Sequence, residues 1–152
     1  MTEGCNVLTL TIQTFEELST EELYEILKVR AAVFVVEQEC AYQDIDDVDF
    51  QAIHVTLRRD GGIVAYARVF KNEEPGIWHI GRVLTTERNH HFGVEVMREA
   101  MKVAWEQGAK CIEIEAQCHA AGYYKKFGFR ASSEEFLLDG ILHQRMRWQP
   151  ST

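Results

Sequence analysis

Residues 111–129 read CIEIEAQCHAAGYYKKFGF. The first seven form a strand, residues 119–127 a short helix, and Gly128 stops that helix because glycine takes left-handed backbone geometry without steric penalty. Upstream, residues 77–85 read as another strand, and residues 82–93, RVLTTERNHHFG, carry it into a second helix. From about Gly93 the apolar positions Val96, Met97, Ala100, Met101 and Ala104 recur at helical spacing as far as Gly108, a left-handed C′ residue. Strand, helix, strand, helix is the unit that decides the fold. It aims helix N–H groups and a positive dipole end at a gap beside a strand, and there ligand chemistry is expected.

Toward the N-terminus, Leu8, Leu10 and Ile12 alternate with Thr9, Thr11 and Gln13, the pattern of a half-buried strand. Ser19-Thr20-Glu21-Glu22 is a capping box flanked by Leu18 and Leu23 as a hydrophobic staple. Leu23, Ile26, Leu27, Arg30, Val33 and Phe34 then follow helical spacing. Residues 40–49 are polar, acidic and aperiodic, hence a loop. Residues 53–59 and 63–70 are β-rich runs joined by Asp60-Gly61-Gly62, a hairpin signal. Residues 135–138 and 142–148 make a closing hairpin around Asp139-Gly140. A mixed sheet with helices packed on it follows from this order.

The 152 residues suit one domain, 1–152, because only two prolines and no Ser/Gly-rich linker or repeat interrupt them. A formal net charge of -8 argues against nucleic acid or an anionic membrane as partner, since both need clustered Lys and Arg. The acidic surface instead favours cationic ligands, amines among them. No secretory leader or spanning stretch is apparent, and none of Cys5, Cys40, Cys111 and Cys118 forms a C-x-x-C pair. The expectation is a reduced, soluble, cytoplasmic protein. Zinc is disfavoured despite Cys118-His119 and His90-His91, because adjacent residues seldom reach one ion, so no metal is expected. Cys40 and Cys118 read as inert small hydrophobes. Trp78, Trp105 and Trp148 read as packing residues.

On its own, the run from Arg88 to Gly93 is a plausible anion cradle. It has neither G-x-x-x-x-G-K-[ST] nor G-x-G-x-x-G, which disfavours a nucleotide-binding reading. Gln117, Ala120, Tyr123-Tyr124 and Gly128-Phe129, in their order and spacing, resemble the signature of the GNAT superfamily of N-acetyltransferases. Three further stretches resemble the ElaA-like subgroup. They are residues 27–30 with 33–38, then Cys40 with 42–46, and finally 134–136 with 139–143. The resemblance runs from about Leu8 to Trp148.

That resemblance implies an α/β fold of the α+β kind. It would have a GNAT-type mixed, mostly antiparallel central sheet with a splayed parallel strand pair, flanked by about four helices. It also implies acetyl-CoA as cofactor and direct attack by a primary amine, carried by a small molecule or an exposed peptide. Tyr124 would be the general acid to the departing thiolate. Val83, Leu84, Thr85, Arg88, Asn89, His90, His91, Phe92, Gly93, Val94, Gln117, Ala120 and Tyr123 would bind the cofactor. The usual turn reads Arg/Gln-x-x-Gly-x-Gly/Ala, so His91 stands where the first glycine belongs and the loop before Arg88 is about two residues short.

Arg30, Phe34, Glu37, Gln38, Tyr42, Asp44, Asp46 and His79 are candidates for the acceptor side. Glu37, Asp44, Asp46 and His79 are each candidate bases or anchors, with solvated surface charges and a water chain as the plain alternatives. A homodimer is common in the superfamily. The rival to catalysis is a GNAT-shaped module that binds CoA or acyl-CoA as a sensor.

Overall fold

The computed structural model describes residues 7–88 and 91–150. Seven strands form one sheet in the order β1-β2-β3-β4-β5-β7-β6. They are β1 (Leu8–Thr14), β2 (Ile53–Arg59), β3 (Gly62–Lys71), β4 (Ile77–Thr85), β5 (Cys111–Gln117), β6 (Arg130–Leu138) and β7 (Ile141–Trp148). Only β4 and β5 pair in parallel. The described residues hold three α-helices, α1 (Thr20–Arg30), α2 (Phe92–Glu106) and α3 (Ala121–Lys125), where about four were expected. A π-helix, Ala31–Glu37, prolongs α1, and a 3-10 turn, Cys118–Ala120, leads into α3. No helix among the described residues is long and apolar enough to cross a membrane.

Local chemistry sets the element ends. The Glu22 N–H donates to Ser19 Oγ at 3.0 Å while the Ser19 N–H donates to Glu22 Oε1 at 2.8 Å, which completes the capping box. At the end of α2, Gly108 has φ +96°, its N–H donates to Trp105 O, and the Ala109 N–H donates to Ala104 O. This is a Schellman motif. Asp60-Gly61 and Asp139-Gly140 hold positive φ at both positions, the turn geometry whose twist matches that of the strands it joins.

Helix α2 lies over β2, β3 and β4. Its Val96, Met97, Ala100, Val103 and Ala104 meet Val55, Leu57, Ala67, Val69, Ile80 and Ile112 in the main core. On the opposite face α1 packs on β3, where Ile26 meets Tyr66 and Leu84.

Two strands differ from expectation. Leu8, Leu10 and Ile12 are 44%, 37% and 46% exposed, so the apolar face of β1 is not the covered one. Strand β1 is the sheet edge beyond the reach of α2. Its polar face is the better covered, with Gln13 bonded to Glu22 of α1. Strand β6 begins at Arg130, ahead of the expected residue 135. Its first half is an irregular edge that shifts register between Ala131 and Glu135, where Ser133 bonds to β7 through Arg145 N–H and Gln144 Nε2. Polar Ala-Ser-Ser-Glu at an edge carries no strand periodicity.

His54 is fully buried in β2. Its Nε2 lies 3.0 Å from the Asp49 carbonyl, which only accepts, so the neutral ring is protonated there and Nδ1 accepts from Tyr66 Oη at 2.6 Å. Burial pushes the imidazole pKa down. The unfolded chain therefore takes up a proton near pH 6.5 that the folded chain refuses, and stability falls as pH drops below that value. Urea midpoints measured from pH 8 to 5 should decline below about pH 6.5. The decline should be shallower in His54→Gln, which has no proton to bind.

Candidate active site

Strands β4 and β5 pair only at Ile77↔Cys111, Trp78↔Ile112 and His79↔Glu113. The reason lies in the neighbouring ladder. Tyr66 pairs with Leu84 and Arg68 with Gly81, so Ala67 of β3 faces two residues of β4, Arg82 and Val83. This is a β-bulge, with Arg82 at φ +52°. It bends β4 away while β5 stays paired with β7 as far as Gln117↔His143. Two strand edges then face one another without a shared ladder. Between them opens a cleft of about 450 Å³, lined by Ile80 and Val83, by Ile114, Ala116 and Gln117, and by Ala120 and Tyr124.

Three arginines from three elements tie the 40–49 loop to the sheet. Arg30 of α1 reaches Asp44 at 3.0 Å and Asp49 at 2.6 Å. Arg68 of β3 reaches Asp46 at 2.7 Å and Asp49 at 3.1 Å. Arg82 at the bulge reaches Asp44 at 2.8 Å and Asp46 at 3.2 Å, and its guanidinium lies 5.2 Å from the Tyr42 ring centre. Tyr42 Oη donates to Asp44 at 2.6 Å. Burial alone would push the carboxyls of Asp46 and Asp49 up. The guanidinium of Arg68 beside Asp46, and those of Arg30 and Arg68 beside Asp49, outweigh it and hold both below the usual carboxylate range.

At the entry to α2, His91 is the N-cap with φ +58°, a left-handed conformation that histidine tolerates better than most side chains. The position is conformationally glycine-like, which matches its place in the turn pattern. Its side chain makes no cap bond. A Cβ added to Gly93 would sit 3.2 Å from Tyr123 Oη and 3.3 Å from Thr85 Cγ2, so the helix start is close-packed between β4 and α3. The N–H groups of Gly93 and Val94 have no acceptor within the helix. Arg88 is mostly exposed and pairs with Glu37 at 3.2 Å.

Tyr124 stands edge-on to Tyr123, ring centres 5.3 Å apart, and to Phe129 at 6.3 Å. Burial, reinforced by Tyr123, pushes its phenol up to about 12, so it is protonated at neutral pH. Gln117 Nε2 donates to Gln38 Oε1 at 3.1 Å, and His119 Nε2 is 2.6 Å from Gln117 Oε1. His79 Nδ1 lies 3.8 Å from Glu113 Oε1. His79 and the Arg147 guanidinium hold Glu113 at about 2.

Of the acceptor-side candidates, Phe34, Gln38, Tyr42, Asp46 and His79 line the cleft. Three do not. Arg30 has no exposed surface and Asp44 is 7% exposed, because each is consumed by the ionic lattice. Glu37 points to Arg88 at the surface. Among the cofactor candidates, Val83, Gln117 and Ala120 line the cleft. The side chains of Leu84 and Phe92 are buried in the two cores, which leaves only their backbone to a ligand. Thr85, Tyr123, His91, Gly93 and Val94 gather at the start of α2, with Arg88 beside them, and Asn89 and His90 lie outside the described residues. Sequence reading missed Arg68, Arg82 and His143, which also line the cleft. A charge inside the apolar run of β3 was the available signal for Arg68. His143 closes the 139–143 stretch that carries the family resemblance, whereas nothing local gives Arg82 a place in the cleft.

Residues 15–150 match the family model described as acetyltransferase (GNAT) domain. The chain belongs to the GNAT acetyltransferase family. Protein ElaA of Escherichia coli (strain K12) is 38% identical over 137 residues, covering 84% of this chain and 87% of that protein. The crystal structure of Escherichia coli ElaA superposes with a TM-score of 0.87 at 33% identity, covering 94% of this chain and all of that one. An acyl-CoA N-acyltransferase from Pseudomonas aeruginosa superposes with a TM-score of 0.86 at 34% identity, over 92% of this chain and 99% of that one. Within the family the chain is ElaA-like, and it is an enzyme of the N-acetyltransferase class.

The lattice makes a direct stability prediction. Arg30→Ala leaves buried Asp44 with Arg82 alone and buried Asp49 with Arg68 alone, and removes a fully buried side chain, so urea unfolding should show a loss of roughly 3–5 kcal/mol. A loss below about 1 kcal/mol, the range of a surface pair, would mean that the network is not desolvated as described.

Proposed function

We propose that this chain transfers the acetyl group of acetyl-CoA to a primary amine, on a small molecule or an exposed peptide, by direct attack. The observation that carries the reading is the parting of β4 from β5 with a protonated tyrosine at its rim. The residues present suit the cofactor. An extended chain can lie between two strand edges that no longer pair, and the start of α2 offers the Gly93 and Val94 N–H groups with Arg88 nearby. Acetyl-CoA supplies the activated thioester.

Backbone N–H groups that the bulge at Arg82 and Val83 turns away from β3 would be the donors to oxygen charge that develops on the thioester carbonyl. Tyr124 Oη gives its proton to the departing sulfur. A phenol held at about 12 keeps that proton at working pH, and because a thiol is the stronger acid its transfer to sulfur is completed as the phenolate recovers a proton from the positively charged nitrogen of the adduct. Arg88 exchanges its Glu37 partner for pyrophosphate. An exposed ion pair is worth at most about 1 kcal/mol, so the exchange opposes binding little. His91 stands at the glycine position of the turn with its side chain exposed, so its ring can lie beside the phosphates while its backbone keeps the turn.

Thiol release from acetyl-CoA over an amine panel tests the function itself. Binding of acetyl-CoA without release to any amine would favour a sensor module instead. Tyr124→Phe should lower kcat by about 10²-fold while leaving acetyl-CoA affinity within about twofold. An unchanged kcat across pH would remove the tyrosine from the chemistry. Arg88→Ala should weaken acetyl-CoA binding, measured by calorimetry, more than it lowers kcat, and the difference should shrink as salt is raised.

A further inference from the structure

The closing hairpin contributes a residue that the proposed reaction has not yet used. His143 of β7 lines the cleft and is 8% exposed. Its Nδ1 lies 2.8 Å from the Ile141 carbonyl oxygen. A carbonyl only accepts, so the neutral ring carries its proton on Nδ1 and the lone pair on Nε2. Nε2 has no hydrogen-bond partner among the described residues. The ring is held from the other side by Phe136, at 6.1 Å and 25°. His143 pairs across the ladder with Gln117, the last residue of β5, and Tyr124 lines the same cleft.

Resting on the acetyl-transfer reading above, we infer that His143 Nε2 is the base that deprotonates the acceptor ammonium, with the Asp139-Gly140 turn and the Ile141 carbonyl as the device that orients it. An amine reaches a protein at neutral pH mostly as R–NH3⁺, which has no lone pair to attack with. Nε2 takes one proton. The nitrogen lone pair then forms the C–N bond while the C–S electron pair leaves with sulfur. Tyr124 Oη protonates the sulfur. The surplus proton on nitrogen returns to the Tyr124 phenolate through solvent, and the His143 imidazolium releases its own to water. The sum is ammonium plus thioester giving amide, thiol and one proton.

The surroundings suit this role. The charged and titratable groups that share the cleft with the ring are Glu115 of β5, Asp139 of the turn, Cys40, Tyr42 and Asp46 of the loop, Arg68 of β3, His79 and Arg82 of β4, and His119 and Tyr124 at α3. Arg145 of the same strand lies over the Phe136 ring. The Cys40 thiol donates to Asp139 O at 3.5 Å, which ties the acceptor-side loop to the hairpin that carries His143. His79 is less suited, because its Nδ1 already faces Glu113 at the closed end, where β4 and β5 still pair.

The test uses the full chain and two readouts. In the free protein, long-range ¹H–¹⁵N spectra above neutral pH should show His143 as the Nδ1–H tautomer, and an Nε2–H tautomer would overturn the assignment. His143→Asn keeps an amide N–H for the Ile141 carbonyl and removes the base. With an amine the wild type acetylates, this variant should lose about 10²-fold in kcat/KM at neutral pH while acetyl-CoA affinity and melting temperature hold. Its deficit should shrink as pH approaches the amine's own pKa, where the acceptor arrives already deprotonated. A variant with the wild-type pH profile overturns the role of His143 alone. A wild type that acetylates no amine on the panel overturns the acetyl-transfer reading and this assignment with it.

Discussion

The cleft exists because β4 carries one residue too many for β3. At the bulge, Arg82 adopts a left-handed backbone that disfavours any non-glycine residue by roughly 1–2 kcal/mol. Glycine would relieve that strain, but glycine could not hold the position. The Arg82 guanidinium is clamped by Asp44 and Asp46 and lies against Tyr42, so the strained backbone is tied to the most heavily cross-linked part of the molecule. Without the extra residue, β4 could continue in parallel register with β5 past His79, and the gap would close. Bulge, ionic lattice and cleft form one mechanical unit.

The lattice also explains how an acidic chain builds a polar wall without self-repulsion. Asp44, Asp46 and Asp49 are spent on Arg30, Arg68 and Arg82, with Tyr42 as a further donor. A loop otherwise rich in backbone groups that need partners is thereby fixed against α1, β3 and β4 together. The π-helical continuation of α1 delivers Phe34 and Gln38 to the cleft from the same side. Glu113 is treated likewise, with His79, Arg147 and Asn72 around it.

Much of this architecture is written locally. Ser19 and Glu22, the aspartate-glycine turns and Gly108 each carry their reason within a few residues, and the structure forms all of them as the pattern predicts. The bounds of β2, β4 and β5 follow from β-rich runs between clear stops. The spacing from Gln117 to Phe129 marks the family without any knowledge of packing. Misjudged elements are those whose fate depends on a neighbour. Leu8, Leu10 and Ile12 look core-directed until α2 proves too far from the sheet edge to cover them. Arg30 looks like a site residue until two aspartates from a distant loop enclose it.

The sequence by itself determined the order of elements, the family and the tyrosine at the cleft, because periodicity, capping and turn chemistry act over three to five residues. Tertiary structure decided which charges face the cleft and which are consumed within the protein. It also decided where β4 leaves β5 and which nitrogen of His143 holds the proton. Those outcomes depend on register across strands and on ion pairs between residues far apart in sequence, 38 positions between Asp44 and Arg82 and 51 between Glu37 and Arg88. No local pattern encodes a partner that only folding brings within 3 Å.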